Sequence, residues 1–115
     1  MTDESCLFCR IVAGEIGCDQ VGVSDDALAF RDVDPQAPTH ILVIPRVHVP
    51  TLAELAASHP EAALAVLTLA QQVAADDGVG DAHRLVCNNG ADAGQSVFHA
   101  HVHVLGGRPL TWPPG

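Results

Sequence analysis

The sequence predicts an α+β domain with a mainly antiparallel, five-stranded sheet, one long helix and one or two short ones. Three observations carry that expectation. Short alternating or β-branched runs occupy residues 20–45, one long alanine- and leucine-rich stretch opens at Pro60, and two further strand-like runs follow it. Strands, then a helix, then strands again are the order of an α+β sheet. At 115 residues the chain amounts to one domain, 1–115, small enough for pairing with a second copy to add useful buried surface.

Taken in order, CLFCRIVAGE reads as a short helix, with Leu7, Phe8, Ile11 and Val12 apolar and Gly14 as its stop. QVGVSDDALAFRD gives two alternating runs about Ser24, Asp25 and Asp26, a hairpin signal. DVDPQAPT is a proline-rich turn, and HILVIP is a β-branched strand closed by Pro45. Thr51 to Glu54 and Ser58 to Glu61 each set a hydroxyl three residues before a glutamate, the capping-box spacing that satisfies free N–H groups at a helix start. The second box opens PEAALAVLTLAQQVAADDG, the long helix. RLVCN returns to strand, NNGADAGQS is a loop, FHAHVHVL is the last strand, and the irregular tail RPLTWPPG holds the sole tryptophan.

Composition narrows the function. A 48% hydrophobic, 17% charged chain is globular, not disordered. The net charge is −9, and the five basic residues are dispersed arginines, so the footprint of a nucleic-acid binder is missing. A small anionic ligand must then be held by local groups against an unfavourable long-range field. The acidic start MTDESCLFCR has no signal-peptide pattern, and no apolar run reaches the ~18 residues of a membrane span. Cysteine usage without an export signal points to a reducing cytoplasm, with Cys18 and Cys87 read as ordinary buried thiols.

The chemistry concentrates in HAHVHVL. Strict alternation in a strand puts His99, His101 and His103 on one face, roughly 6.5 to 7 Å apart, and Ala100, Val102 and Val104 on the other. One such histidine is most often a half-buried polar residue; three in register favour catalysis. Imidazole titrates near neutrality, attacks when neutral and donates when charged. The preceding NNGADAGQS loop offers Gly90 and Gly94 for inward-turned N–H groups, and Asn88, Gln95 and Ser96 as neutral donors, the ingredients of a phosphate site. Cys6-x-x-Cys9 is either a redox pair or half of a zinc site, and His48 and a histidine of the triple could complete a closed tetrahedron. His40 opens an apolar strand as a buried histidine would, and Asp32 sits where a turn former would. His59, in a helix cap, and His83, in a loop, carry no assigned function.

HAHVHVL is identified with the signature of the histidine triad superfamily. CLFCRIVAGEI, DVDPQAPTHILVIPRVH, NNGADAGQSVFHAHVHVLGGR and WPPG resemble, in order and spacing, its nucleoside phosphoramidase branch. The resemblance implies a homodimer that binds purine nucleoside monophosphate derivatives and cleaves the bond from the α-phosphorus to an amine. It implies that His101 is the nucleophile, that His103 contacts the α-phosphate, and that His40 lies behind His101 and sets its protonation. Asn88, Gln95 and Ser96 match phosphate and leaving-group contacts, Asp32 the carboxylate on the ribose hydroxyls, and Phe8, Ile11, Phe30 and Val33 the slot for the base. It also implies a structural zinc ion on Cys6, Cys9, His48 and His99. A dinucleoside polyphosphate hydrolase, a nucleotidyl transferase and a non-catalytic nucleotide-binding module stay open as alternatives. Ala93 and Arg46-Val47 depart from the usual pattern at positions that bear on the leaving group.

Overall fold

The computed structural model describes residues 3–115. Five strands, β1 (Gln20–Val23), β2 (Ala27–Arg31), β3 (Thr39–Pro45), β4 (His83–Val86) and β5 (Val102–Gly106), form one sheet in the order β1-β2-β3-β5-β4. Every neighbouring pair is antiparallel. The helices are α1 (Leu7–Val12), α2 (Leu52–Ser58) and α3 (Pro60–Asp76), with a 3-10 turn at Ala91–Ala93. This is the expected α+β architecture, with its one long helix and two short ones.

The central strand explains why HILVIP is apolar at every position. All seven residues of β3 are buried, because both faces of the sheet are covered. Ile41 and Val43 point into a core shared with Leu55 of α2, Val66, Leu69 and Val73 of α3, and Val102 and Val104 of β5. Leu42 and Ile44 point the other way and pack with Phe8 and Ile11 of α1 and Leu28 and Phe30 of β2. His40 is on the Leu42 side, and the pairing of Leu42 with His103 puts His103 there too. The functional face is therefore the α1 face. A carboxylate at the end of α3, Asp77, ties helix to sheet by accepting hydrogen bonds from Arg31 at 2.7 and 3.2 Å and from the Thr39 hydroxyl at 2.5 Å.

Several local expectations are corrected. Thr51 caps α2, its hydroxyl accepting the Glu54 N–H at 3.1 Å, but Ser58 does not cap α3. Ser58 is the last residue of α2, and its hydroxyl donates to the Glu54 carbonyl at 2.8 Å, so His59 begins α3 without a side-chain cap. His83 opens β4 instead of lying in a loop. Cys18 is exposed, and Cys87 is half-buried at the edge of the main core.

The last strand is also shorter than 98–105. Its ladder with β3 runs from Val102 to Gly106 and stops where Pro45, which has no N–H to give, comes opposite Ala100. The segment carrying His99 and His101 is released from the sheet. It crosses instead to the chain after β3, where the Ala100 N–H donates to the Val49 carbonyl at 2.7 Å.

Candidate active site

Backbone contacts fix which nitrogen of each histidine carries the proton. The Gln36 N–H donates to Nδ1 of His40 at 3.0 Å, so a neutral His40 is protonated at Nε2. That Nε2 lies 2.9 Å from Nδ1 of His103 and 3.5 Å from Asp32, so it donates to His103. His103 then carries its own proton on Nε2. Nδ1 of His101 lies 2.8 Å from the His99 carbonyl and must donate to it, leaving the Nε2 lone pair of His101 free. Two adjacent rings, 5.1 Å apart, thus present a nucleophilic nitrogen and a hydrogen-bond donor.

This geometry corrects one assignment. His40 is buried and faces His103, not His101. Asp32, His40 and His103 are close enough to suggest a second metal site. A metal on Nε2 of His40 would require the proton on Nδ1, where it would collide with the Gln36 N–H. His40 and His103 therefore form a hydrogen-bonded relay, with the Asp32 carboxylate alongside it at 3.5 Å.

Burial, helped by the neighbouring His101 and His40, pushes His103 down to about 4. The sign follows directly: the unfolded chain binds the proton more readily, so this residue contributes stability above pH 6.5 that fades as pH falls toward 4. With the linkage value halved for a partly solvated ring, wild type should lose about 1 kcal/mol more than His103→Asn between pH 7.5 and pH 5. Denaturant unfolding at the two pH values reads this out, and an equal loss in both proteins rejects it.

His101 and His103 open onto a cleft of about 390 Å³ whose walls include Phe8, Ile11, Phe30, Asp32, Val33 and Ser96. That volume suits a small-molecule ligand. The Phe8 ring stands edge-on to Phe30 at 5.6 Å and to His101 at 5.2 Å, giving one end of the cleft an aromatic wall. Val33 is fully exposed at its rim. Asp32 keeps acceptor capacity, because only one of its oxygens is engaged at short range, by the Asp34 N–H at 2.8 Å.

The glycine loop reaches this cleft through Ser96, which is exposed. Gly90 and Gly94 adopt φ of +100° and +99°, which glycine accommodates and other residues resist. Gln95 is buried with all its polar capacity spent on backbone: its oxygen accepts from Gly90 N–H at 2.8 Å, and its amide donates to Pro50 and Val97 carbonyls at 2.6 and 2.9 Å. It holds the loop's shape and has no amide hydrogen left for a ligand. Asn88 is half-buried under the loop, 3.8 Å from where a Cβ on Gly94 would lie, and does not line the cleft.

Cys6, Cys9, His48 and His99 come together beside this cleft, their ligand atoms all within 4.8 Å of one another. Tetrahedral bonds of about 2.3 Å to sulfur and 2.05 Å to nitrogen would space donors roughly 3.6 Å S to N and roughly 3.4 Å N to N. Nδ1 of His99 lies 3.5 Å from each sulfur and 3.3 Å from Nδ1 of His48, which is 3.2 Å from Sγ of Cys9. The donor set fits a tetrahedral ion. Nε2 of His99 donates to the Pro45 carbonyl at 2.8 Å, which leaves Nδ1 as the ligating nitrogen, and burial holds this ring down to about 4, in the neutral form a metal needs. Burial also pushes the Cys9 thiol up, and a bound cation is what would draw its proton off. Both cysteines are free, not disulfide-bonded.

The HIT domain pattern matches residues 13–110. The chain belongs to the HIT family. Among HIT relatives, the purine nucleoside phosphoramidase of Escherichia coli (strain K12) is 44% identical over 108 residues, covering 93% of this chain and 91% of that one. A 14 kDa zinc-binding protein of Zea mays is 44% identical over 117 residues, covering 100% of this chain and 91% of its own. The crystal structure of a HIT family hydrolase from Legionella pneumophila Philadelphia 1 superposes with a TM-score of 0.91 at 44% identity, covering 96% of this chain and all of that one. Cys6 and Cys9 precede the matched HIT segment but fall within the maize alignment.

Proline placement and alternation could have exposed Leu42, which lines the cleft and shares a strand face with His40. Nothing in the side-chain sequence signals the Gln36 N–H, since every residue but proline has one. Among the described residues, no helix is long and apolar enough to cross a membrane.

Proposed function

We propose that this HIT protein hydrolyses purine nucleoside 5′-phosphoramidates, releasing the nucleoside monophosphate and an amine through a nucleotidyl-histidine intermediate. The observation that carries the reading is the His101 ring, held by the His99 carbonyl with its free Nε2 at the cleft. That lone pair attacks the α-phosphorus and forms an N–P bond. The electron pair of the breaking P–N bond leaves with the amine, whose nitrogen takes a proton from solvent through the Ser96 hydroxyl. Water then attacks phosphorus, frees His101 and completes the nucleoside monophosphate. Covalent catalysis splits one hard displacement into two easier ones.

The other residues divide the binding. The base lies in the slot of Phe8, Ile11, Phe30 and Val33, and Asp32 accepts from the ribose hydroxyls. Nε2–H of His103, kept there by His40, donates to the phosphoryl oxygens with help from loop N–H groups, while Asn88 supports the loop from beneath. Gln95 keeps that loop in place. We assign zinc to Cys6, Cys9, His48 and His99. When bound, it acts as a structural cross-link, since four protein ligands leave no position for substrate. The assembly we propose is a homodimer, with the outward Leu64 and Leu67 of α3 as first contacts, and a single-chain mass in sedimentation equilibrium rejects it.

Brief mixing with an adenosine 5′-phosphoramidate, acid-free quenching and intact-mass spectrometry test the mechanism. Wild type should gain one adenylyl unit, and His101→Ala none. Turnover with no adduct at any quench time points to direct attack by water, and no turnover at all points to a binding module.

A further inference from the structure

Gln36 is held at three points, and only one of them is His40. Its N–H donates to Nδ1 of His40 at 3.0 Å, its side-chain amide donates to the Asp34 carbonyl at 3.1 Å, and its own carbonyl accepts from Nε of Arg108 at 3.2 Å. The Arg108 arm is braced in turn, because its Nη1 donates to the Pro109 carbonyl at 3.1 Å. One residue earlier, Gly107 adopts φ of +88°, and a Cβ there would lie 2.9 Å from Cβ of Pro38. The turn after β5 therefore lies directly against the loop between β2 and β3, at a distance only a residue without a side chain allows.

We infer that Arg108 is a positioning residue, which fixes the tautomers of His40 and His103 by clamping Gln36. The contacts close a circuit: His103 to His40, His40 to Gln36, Gln36 to Arg108, and Arg108 back along the chain to His103 on β5. A neutral imidazole has one proton, and the partner of one nitrogen decides whether the other carries it. If Gln36 N–H withdraws, His40 can hold its proton on Nδ1 and accept at Nε2. His103 then donates from Nδ1 and turns a bare Nε2 towards the cleft. The donor assigned to the phosphoryl oxygens is lost, although no residue that touches substrate has changed. Arg108 is exposed and does not line the cleft, so its influence passes through Gln36 alone. The effect on turnover rests on the phosphoramidase reading above, whereas the effect on the two rings does not.

The test measures ring nitrogen-15 shifts of histidine-labelled protein at about pH 8, where an ordinary imidazole is neutral, because the shift separates a protonated nitrogen from a bare one. Wild type should show His40 and His103 each with a protonated Nε2 and a bare Nδ1. Arg108→Ala should average the two nitrogens of both rings. It should also lower kcat/KM for an adenosine 5′-phosphoramidate about three- to tenfold, the weight of one solvent-exposed hydrogen bond. His83 serves as the control for general loosening, since it pairs with Gly106 and its Nδ1 donates to the Val79 carbonyl at 2.9 Å. Its signals should stay as in wild type. Unchanged His40 and His103 signals in Arg108→Ala overturn the clamp, and so does averaging that spreads to His83. If wild type does not cleave the phosphoramidate, the functional reading fails, and the ring signals still decide the role of Arg108.

Discussion

His101→Ala should lower kcat/KM for an adenosine 5′-phosphoramidate by at least about 10⁴-fold, while the Kd for AMP stays within about threefold of wild type. The size follows from removing the only group placed to form the N–P bond, since water would have to attack without activation. Binding is spared because the substitution removes neither the Phe8 and Phe30 walls nor Asp32 nor the His103 donor. His40→Ala should behave differently. It frees Nδ1 of His103, so the His103 proton can move away from the cleft, and it takes a buried partner from Asp32. Its loss should be smaller, about 10- to 100-fold, and should appear partly in KM. Steady-state kinetics with both variants, and calorimetry with AMP, separate the two roles. A His101→Ala enzyme within tenfold of wild type removes His101 from the reaction; an unchanged His40→Ala enzyme removes the relay.

The parts of this architecture that depend on periodicity are the parts the sequence discloses. HILVIP and HAHVHVL declare strands because apolar and histidine positions repeat at fixed steps, and the long helix declares itself by composition. The face shared by the three histidines is legible for the same reason. What decides their separate duties is not, because it is written in backbone partners. Pro45 ends the ladder and accepts from His99, the His99 carbonyl orients His101, and Gln36 N–H orients His40. A carbonyl or an N–H exists at nearly every position, so its use is a property of the fold and not of a residue type. Gln95 and Ser58 show the same limit. By type one is a ligand candidate and the other a cap, yet both spend their side chains on backbone groups, Gln95 on the Pro50 and Val97 carbonyls and Ser58 on the Glu54 carbonyl of its own helix. The metal-site reading of Cys-x-x-Cys draws its support from His48 and His99 lying at distances that suit a tetrahedral ion, and His99 is 93 and 90 residues from the two cysteines, a meeting that spacing could not announce.

Stripping zinc from the protein with a strong chelator should lower Tm by at least about 10 °C, and Cys9→Ser should lose the metal and a similar increment of stability. Structural zinc sites in small peptides bind with an apparent ~10 to 16 kcal/mol. Here the cluster lies in a domain with its own core, so the contribution is a linkage term: free zinc at about 1,000 times Kd adds about 4 kcal/mol. At roughly 4 °C per kcal/mol for a domain of this size, that amounts to 10 °C or more. The effect should reach the active site, because His99 lies two residues before His101 and its carbonyl holds the His101 ring. Without the ion, Nδ1 of His99 and the two sulfurs lose their common partner, and the short segment from His99 to His101 rests on the hydrogen bonds of His99 to Pro45 and of Ala100 to Val49. Turnover should therefore fall with zinc content and return when zinc is added back. Elemental analysis, thermal unfolding and activity on the same samples provide three readouts. Less than about one zinc per two chains as purified, with Tm indifferent to chelator, would show that Cys6 and Cys9 serve some other purpose and that the catalytic segment is held by its backbone contacts alone.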